Sequence, residues 1–372
     1  MLQQCLFDQI RGLIYINQLE SQQNPKLFAD EIYLETSECY LIMSTILSAD
    51  VGGTKTHIQL AYYADGKLEI IKTEKFPSAN FTYFSDLLQK FLPENYSIDC
   101  ACFAVAGPVT HNAEFSESQV TNLPWIIHSR DLEKQFQINK VLLLNDFEAI
   151  GYALDYLAAD DFLTLQKGQA KPLGVKAIIG AGTGLGQAIL VHNGKHYSVI
   201  PTEGGHADFA ATDATEIALF EFLNKQYAHV SYERVLSGQG MVNIFQFLVE
   251  TYKTQHTPEV QNILNTADPS AAVAIAGAEK SHAVACETVS LFMKIYGAQA
   301  GNLALTCLAQ DGLYIAGGIA AKNLYAFDDG EFIRAFNAKG RMQKITERIP
   351  VHVIKNQHAG IIGATHFARR MI

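Results

Sequence analysis

Two stretches of the chain share one pattern, in which a strand enters a glycine turn and returns as a second strand. The first copy lies at 46–71 and the second at 177–195. An ungapped shift of 128 residues places Gly52 of the first copy on Gly180 of the second. A supersecondary unit that occurs twice predicts two related domains, because each copy has its own apolar strands to bury.

Alternating helix and strand patterns follow each copy. In the first copy we predict strands at 46–49, 57–63 and 67–71, with a type I′ hairpin turn at Asp65-Gly66. The segments predicted after the first copy are helices at 84–91 and 132–136 and strands at 100–105 and 141–144. Those predicted after the second copy are helices at 214–227, 240–252, 270–278 and 286–308 and a strand at 312–316.

This alternation predicts an α/β fold of two related domains, with mixed sheets flanked by helices around a central cleft. We predict a small domain of 43–156 plus 356–372 and a large domain of 157–355. Residues 1–42 precede the first strand and are predicted to be an N-terminal extension or a mis-assigned start.

The charge and cysteine content exclude several classes of protein. Lys and Arg number 28 against 38 Asp and Glu, a net charge of −10, so nucleic acid is not expected as a partner. No apolar run reaches the roughly 18 residues of a membrane span, and no signal peptide is recognised. Six dispersed cysteines form no disulfide framework, which favours a cytoplasmic location.

The glycine turns have the residue types of anion-binding loops. In ADVGGTK, Asp50 ends a strand, Gly52 and Gly53 allow a close approach of backbone N–H groups, and Thr54 adds a hydroxyl. The second turn, GAGTGLG at 180–186, has the same character. Each turn is also compatible with an ordinary tight hairpin. A strand follows the second turn where a dinucleotide-binding fold needs a helix, and the Walker pattern is absent.

A third glycine pair, Gly317-Gly318 in LYIAGGIA, ends another predicted strand. The three turns, in this order, resemble the two phosphate turns and the adenosine turn of the actin, hexokinase and heat-shock-seventy ATPase superfamily. That resemblance implies ribonuclease-H-like domains.

The resemblance narrows to the bacterial glucokinase family and covers about 44–372. The motifs that carry it are ADVGGTK (49–55), AVAGPV (104–109), TNLPW (121–125), LLLNDFEAIGYAL (142–154), GAGTGLG (180–186), TEGGHADFA (202–210), YERVLSGQG (232–240) and YIAGGIA (314–320). The family implies transfer of the γ-phosphoryl group of ATP to the 6-hydroxyl of glucose, at the entry to glycolysis. The residues it assigns to ATP are Ala49, Asp50, Val51, Gly52, Gly53, Thr54, Gly182, Thr183, Gly184, Gly317 and Gly318.

Asn145 and Asp146 lie where a predicted strand ends and a helix begins, the edge at which α/β sheets place their ligands. With Glu148 they also fit a capping box, so helix capping alone is an alternative explanation. The resemblance makes Asp146 the carboxylate that receives the proton of the attacking sugar hydroxyl.

Three further polar residues, Glu203 and His206 in TEGGH and Glu233 in YERVLSG, are candidate sugar contacts. Taken singly, His206 is better explained as a core histidine than as a functional residue, and Glu233 is better explained as part of a solvated helix face beside Arg234. The resemblance assigns all three, with Asn145 and Asp146, to hexose hydroxyls, which must each be paired when buried.

Magnesium is expected to arrive with ATP, with Asp50 as an outer-sphere carboxylate. The related ROK group carries a zinc-binding cysteine cluster, but no cysteine follows His206 until Cys286, so structural zinc is not expected. The resemblance implies a homodimer. Two alternatives remain: a kinase for another hexose or an amino sugar, and a non-catalytic sugar-sensing regulator of the same fold.

Overall fold

The computed structural model describes residues 44–64, 66–93, 96–254 and 256–372. The predicted N-terminal extension at 1–42 and Asp65 of the predicted hairpin turn lie outside the described residues. Ser44–Tyr63 and Leu68–Ile372 form one compact unit. No helix in these ranges has the length and apolar character needed to cross a membrane.

The chain alternates strands and helices throughout. The strands are β1 (Ser44–Val51), β2 (Lys55–Ala64), β3 (Lys67–Pro77), β4 (Cys100–Val105), β5 (Val109–His111), β6 (Ser116–Gln119), β7 (Ile126–His128), β8 (Val141–Asn145), β9 (Phe162–Gln166), β10 (Lys176–Ala181), β11 (Leu185–His192), β12 (Tyr197–Thr202), β13 (Leu313–Ala316) and β14 (Val351–Ile354). The helices are α1 (Phe84–Phe91), α2 (Ser129–Phe136), α3 (Asp146–Ala153), α4 (Ala214–Asn224), α5 (Gly238–Thr251), α6 (Pro258–Leu264), α7 (Pro269–Ala278), α8 (Ala283–Cys307), α9 (Gly318–Lys322), α10 (Glu331–Asn337), α11 (Gln343–Thr346) and α12 (Ala359–Arg370).

Two mixed sheets repeat one topology. Their strand orders are β3-β2-β1-β4-β8 and β12-β11-β10-β13-β14-β9. In each, the strand before the glycine turn (β1 or β10) is antiparallel to its hairpin partner and parallel to the next strand in space, β4 or β13. This confirms the predicted α/β fold with a repeated unit. The predicted domain boundaries stay a prediction.

The register of the repeat differs from the ungapped shift of 128. The first turn is formed by residues 52–54 and the second by 182–184, which is an offset of 130. Gly180 lies inside β10 and is not the counterpart of Gly52. Glycine is required at position 180 for a different reason, because a Cβ there would lie 2.5 Å from Cζ of Phe147.

Helices α8 and α12 position the two sheets. The 25-residue α8 is buried along most of its length in the largest apolar cluster, which also contains Ile179 of β10 and Ile315 of β13. Helix α12 packs on β1, β4 and α3. A Cβ at Gly363 of α12 would lie 1.7 Å from the carbonyl oxygen of Ala149, so only glycine allows α12 and α3 to approach this closely.

Candidate active site

The carboxyl ends of three parallel strands meet at one edge of the first sheet. Across β1, β4 and β8, Val51 pairs with Val105 and Val105 with Asn145. Asp50, the residue before Val51, and Asp146, the residue after Asn145, therefore come to the same edge. Ala49 and Val51 are fully buried in the core, so their side chains do not reach this edge.

Asn145 and Asp146 both contribute to the start of α3. The side chain of Asn145 accepts a hydrogen bond from the N–H of Phe147 at 2.9 Å and donates to the carbonyl of Gly107 at 3.0 Å. Oδ1 of Asp146 accepts from the same N–H at 2.9 Å. The predicted capping role of Asn145 is confirmed, and Asp146 is the first residue of the helix.

Burial makes the carboxyl groups at this edge unusually weak acids. Desolvation, followed by the negative charge of Asp146, raises the pKa of Asp50 to about 7. Desolvation also raises the pKa of Asp146 to about 6 and that of Glu148 to about 7, against hydrogen bonds that favour their ionised forms. No ion pair within the described residues involves any of these three carboxylates. The edge is therefore suited to a cation or to a transferred proton.

The raised pKa of Asp50 predicts a pH-dependent stability. A carboxyl whose pKa is higher in the folded protein favours folding while it is protonated, and this contribution is lost as pH rises from about 4 towards 7. We expect Asp50→Asn, in the unliganded protein, to raise the unfolding free energy by about 1–3 kcal/mol at pH 8 and by much less at pH 5. Chemical denaturation at both pH values checks this. An equal effect at the two pH values would contradict it.

The first glycine turn is held from outside by Ser78. The fully buried Ser78 donates from its hydroxyl to the carbonyl of Gly52 at 2.7 Å and from its N–H to the carbonyl of Thr54 at 3.0 Å. The N–H of Gly52 donates to the carbonyl of Lys55 at 3.1 Å. A Cβ at Gly53 would lie 2.9 Å from the carbonyl oxygen of Thr121, the first residue of the TNLPW motif. Within the described residues no backbone oxygen accepts from the N–H of Gly53 or Thr54, which leaves both for an anion.

The second turn is tied to Glu233. Oε2 of Glu233 accepts from the N–H of Leu185 at 2.9 Å, and a Cβ at Gly184 would lie 2.5 Å from that oxygen. Gly182 donates to Gly184 within the turn, and the described backbone offers no acceptor to the N–H of Thr183. The carboxylate and the turn therefore occupy one site.

The third turn lies at the same edge of the second sheet. Gly180 of β10 pairs with Ala316 of β13, so the turn after each strand comes to one end. Gly317 has a φ of +87°, and a Cβ there would lie 2.5 Å from the carbonyl oxygen of Ala181. Gly318 begins α9, and a Cβ at this position would have no other heavy atom within 4 Å.

Glu203, His206 and Glu233 form a second polar group. Nε2 of His206 lies 3.8 Å from Oε2 of Glu203, and Nδ1 lies 4.0 Å from Oε1 of Glu233. The His206 side chain is 59% exposed, so the core-histidine alternative is wrong. Glu233 binds Leu185 while Arg234 stacks on Tyr227, so the solvated-face alternative is also wrong.

The two polar groups are joined through packing. No hydrogen bond or ion pair in the described part of the chain connects Asn145 or Asp146 with the group around His206. Instead, the ring of Phe147 packs directly on two glycines of the second sheet. A Cβ at Gly180 would lie 2.5 Å from Cζ of Phe147, and a Cβ at Gly186 would lie 2.4 Å from its Cδ2. Phe147 and Ser78 are site residues that the sequence analysis missed.

The remaining unpredicted contact comes from α12. A Cβ at Gly360 would lie 2.9 Å from Oδ2 of Asp50, so the first turn of α12 covers that carboxylate. Among the described residues, no group of three or more His, Cys, Asp or Glu side chains could hold a metal ion alone. The desolvated pair Asp50 and Asp146 does fit a cation that brings most of its own ligands, such as Mg²⁺ on a polyphosphate.

Comparisons with known proteins agree on one family. A glucokinase family model matches residues 47–371. The chain is 40% identical over 351 residues to the glucokinase of Nostoc sp., a match that covers 88% of this chain and all of that protein.

Solved structures agree with this assignment. The glucokinase from an Antarctic psychrotroph has a TM-score of 0.74 and 28% identity, covering 88% of this chain and 99% of that one. A ROK family glucokinase from Streptomyces griseus, solved with glucose and AMPPNP, has a TM-score of 0.58 and 18% identity, covering 88% and 100%, and shares the fold. The match along almost all of the described sequence shows that this chain belongs to the glucokinase family.

Proposed function

We propose that this chain transfers the γ-phosphoryl group of ATP to the 6-hydroxyl of glucose, giving glucose 6-phosphate and ADP. One observation carries the proposal: the desolvated Asp146 carboxyl lies at the sheet edge that also holds Asp50 and the Gly52–Thr54 turn. Phosphoryl transfer requires an acceptor for the hydroxyl proton beside donors that position phosphate oxygens. The glucokinases that match this chain support the same activity.

Asp146 is assigned the role of general base. Its Oδ1 accepts from the N–H of Phe147, which fixes the carboxylate at the start of α3, and we assign this carboxylate to the proton of the sugar hydroxyl. With a pKa raised to about 6, the group is ionised at neutral pH and is still a better proton acceptor than an exposed carboxylate. The pH profile of kcat/KM is therefore expected to fall below about pH 6.

ATP is assigned to the three glycine turns. The phosphates are placed against Gly52, Gly53 and Thr54 and against Gly182, Thr183 and Gly184. In these turns the N–H groups of Gly53, Thr54 and Thr183 have no backbone acceptor among the described residues. Gly317 and Gly318 are placed at the adenosine. Mg²⁺ bound with ATP would neutralise phosphate charge, with Asp50 as its outer-sphere protein ligand.

Glucose is assigned to five side chains: Asn145, Asp146, Glu203, His206 and Glu233. They supply a mixture of donors and acceptors, as a neutral polyol requires.

We further propose that the protein works as a homodimer in the cytoplasm. The molar mass measured by light scattering, as the protein elutes from a size-exclusion column, tests the oligomeric state.

A test of the activity is an ADP-release assay with glucose, mannose, fructose, glucosamine and N-acetylglucosamine. Glucose is expected to give the highest kcat/KM. A higher value for another sugar would assign the chain to that hexose or amino sugar. Absence of ADP release with every sugar, in a protein that binds glucose, would support the sugar-sensing alternative.

Glu233 gives a prediction in which two substitutions separate two roles. Glu233→Gln retains an oxygen for the N–H of Leu185 but alters the group offered to sugar. The kcat/KM for glucose should therefore fall by a factor that corresponds to about 1–3 kcal/mol of lost transition-state stabilisation, and KM for ATP should be unchanged. Glu233→Ala also removes the acceptor at the turn, so KM for ATP should rise as well. Steady-state kinetics in both substrates measure this. An ATP effect from Glu233→Gln alone would argue against the sugar role.

A further inference from the structure

A cavity lies away from the proposed catalytic edge. It has a volume of about 550 Å³, which is in the range of small-molecule sites. Its walls come from the end of α12, from the turn between β11 and β12, and from the chain around Asp155 and Asp311. The assigned contacts to ATP and glucose do not include any of these residues.

Three cations line this cavity without acidic partners. Arg369, Arg370 and Lys195 form no ion pair within the described ranges of the chain, although the protein carries a net charge of −10. Arg370 donates instead to the carbonyl of Tyr197 at 3.2 Å and to the hydroxyl of Tyr156 at 3.5 Å. Both arginines end α12, and Lys195 is exposed in the hairpin turn. The guanidinium groups also contact tyrosine rings, Arg369 at 4.7 Å from the ring centroid of Tyr63 and Arg370 at 5.5 Å from that of Tyr152. Guanidinium groups that line one cavity and lack a carboxylate partner favour an oxyanion as ligand.

Next to the arginines, the cavity wall is held by a network of one lysine and two aspartates. Lys176, only 9% exposed, donates to Asp155 at 3.0 Å and lies 4.1 Å from the ring centroid of Tyr197. The Tyr197 hydroxyl donates to Asp311 at 2.6 Å. The Asp155 side chain is 37% exposed, so it retains acceptor capacity for a hydroxyl group. This wall offers aromatic surface and carboxylate oxygens, which suit a polyol.

We propose that this cavity binds a small sugar phosphate. The phosphate would lie against Arg369, Arg370 and Lys195, and the sugar hydroxyls would face Asp155 and the tyrosines. A bare phosphate would leave the exposed part of the Asp155 carboxylate without a hydroxyl partner. A neutral sugar would leave the three cations without a negatively charged partner.

The cavity is separate from the catalytic edge but shares α12 with it. Twelve residues of helix span about 18 Å, and the first turn of α12 touches Asp50 whereas the last turn carries Arg369 and Arg370. A ligand that binds only the folded cavity would therefore raise the unfolding temperature without occupying the nucleotide or sugar contacts.

Isothermal titration of the full chain with ribose 5-phosphate tests the proposal, with ribose and inorganic phosphate as comparison ligands. Titrations are repeated with saturating glucose and AMPPNP. We expect saturable binding of ribose 5-phosphate under both conditions, at least tenfold weaker binding of inorganic phosphate, and none of ribose. Arg369→Ala and Lys195→Ala should each weaken the binding at least tenfold. The matched control Arg341→Ala removes an exposed arginine that does not line the cavity and should have no effect.

Several outcomes would overturn the proposal. Binding abolished by glucose and AMPPNP would place the probe in the catalytic site, and equal affinity for inorganic phosphate would reduce the cavity to a general anion site. Unchanged affinity in Lys195→Ala and Arg369→Ala would remove the cavity from consideration. Lys195 is exposed, and its side chain makes no hydrogen bond or ion pair within the described residues, so Lys195→Ala keeps the test valid if Arg369→Ala unfolds.

Discussion

Asp146→Asn is expected to give a folded protein that binds glucose but has a kcat about 10²–10⁴-fold lower. Asparagine keeps the size of the side chain and an oxygen that accepts from the N–H of Phe147, so α3 should begin as before. The Asn145 cap is unaffected. An amide cannot accept the proton of the sugar hydroxyl, and this single loss accounts for the expected effect.

The measurement combines steady-state rates with thermal melting in the absence and presence of glucose. Asp268→Asn is the matched control, because Asp268 caps α7 by accepting from the N–H of Ala271 and lies in an exposed turn. It should retain both stability and activity. Near wild-type turnover in a folded Asp146→Asn protein would end the assignment of Asp146 as general base. A preserved decrease below pH 6 in that variant would also oppose it.

Local elements of the fold could be predicted closely where a pattern is carried by neighbouring residues. The predicted helix at 84–91 and strand at 100–105 coincide with α1 and β4. The apolar positions of α1 repeat with the helical period, and β4 is a short continuous apolar run of the kind that forms a fully buried strand. The sheet of β5, β6 and β7 was missed. Its strands have three or four residues, and SESQ at 116–119 shows no apolar alternation.

The contacts that organise the site join residues that are far apart in sequence. Gly360 lies against Asp50, and Phe147 fills the space above Gly180, but neither relation leaves a signal in the spacing of one chain. The glycines illustrate the difficulty. Gly180 and Gly186 accommodate an aromatic ring, whereas Gly182 and Gly184 form the turn, although all four belong to one motif.

The pair Gly317 and Gly318 gives the second large expected effect, because two adjacent glycines have opposite requirements. Gly317→Ala would place a side chain at a φ of +87° and a Cβ 2.5 Å from the carbonyl oxygen of Ala181. Left-handed backbone costs about 1–2 kcal/mol and a forced close contact about 1–3 kcal/mol. We therefore expect Gly317→Ala to lower the unfolding free energy by roughly 2–5 kcal/mol and to raise KM for ATP, since β10 and β13 must separate at the edge assigned to the nucleotide.

Gly318→Ala is the internal control for this change. Its Cβ would meet open space, and alanine at the first position of α9 is a better helix former than glycine by up to about 1 kcal/mol. Stability should therefore be equal to the wild type or slightly higher. A raised KM for ATP in Gly318→Ala, without loss of stability, would show that the nucleotide itself occupies the open space at Gly318. Equal stability losses in the two variants would instead contradict the geometry of the turn, because, of these two glycines, Gly317 alone combines a positive φ with a backbone oxygen at its Cβ position.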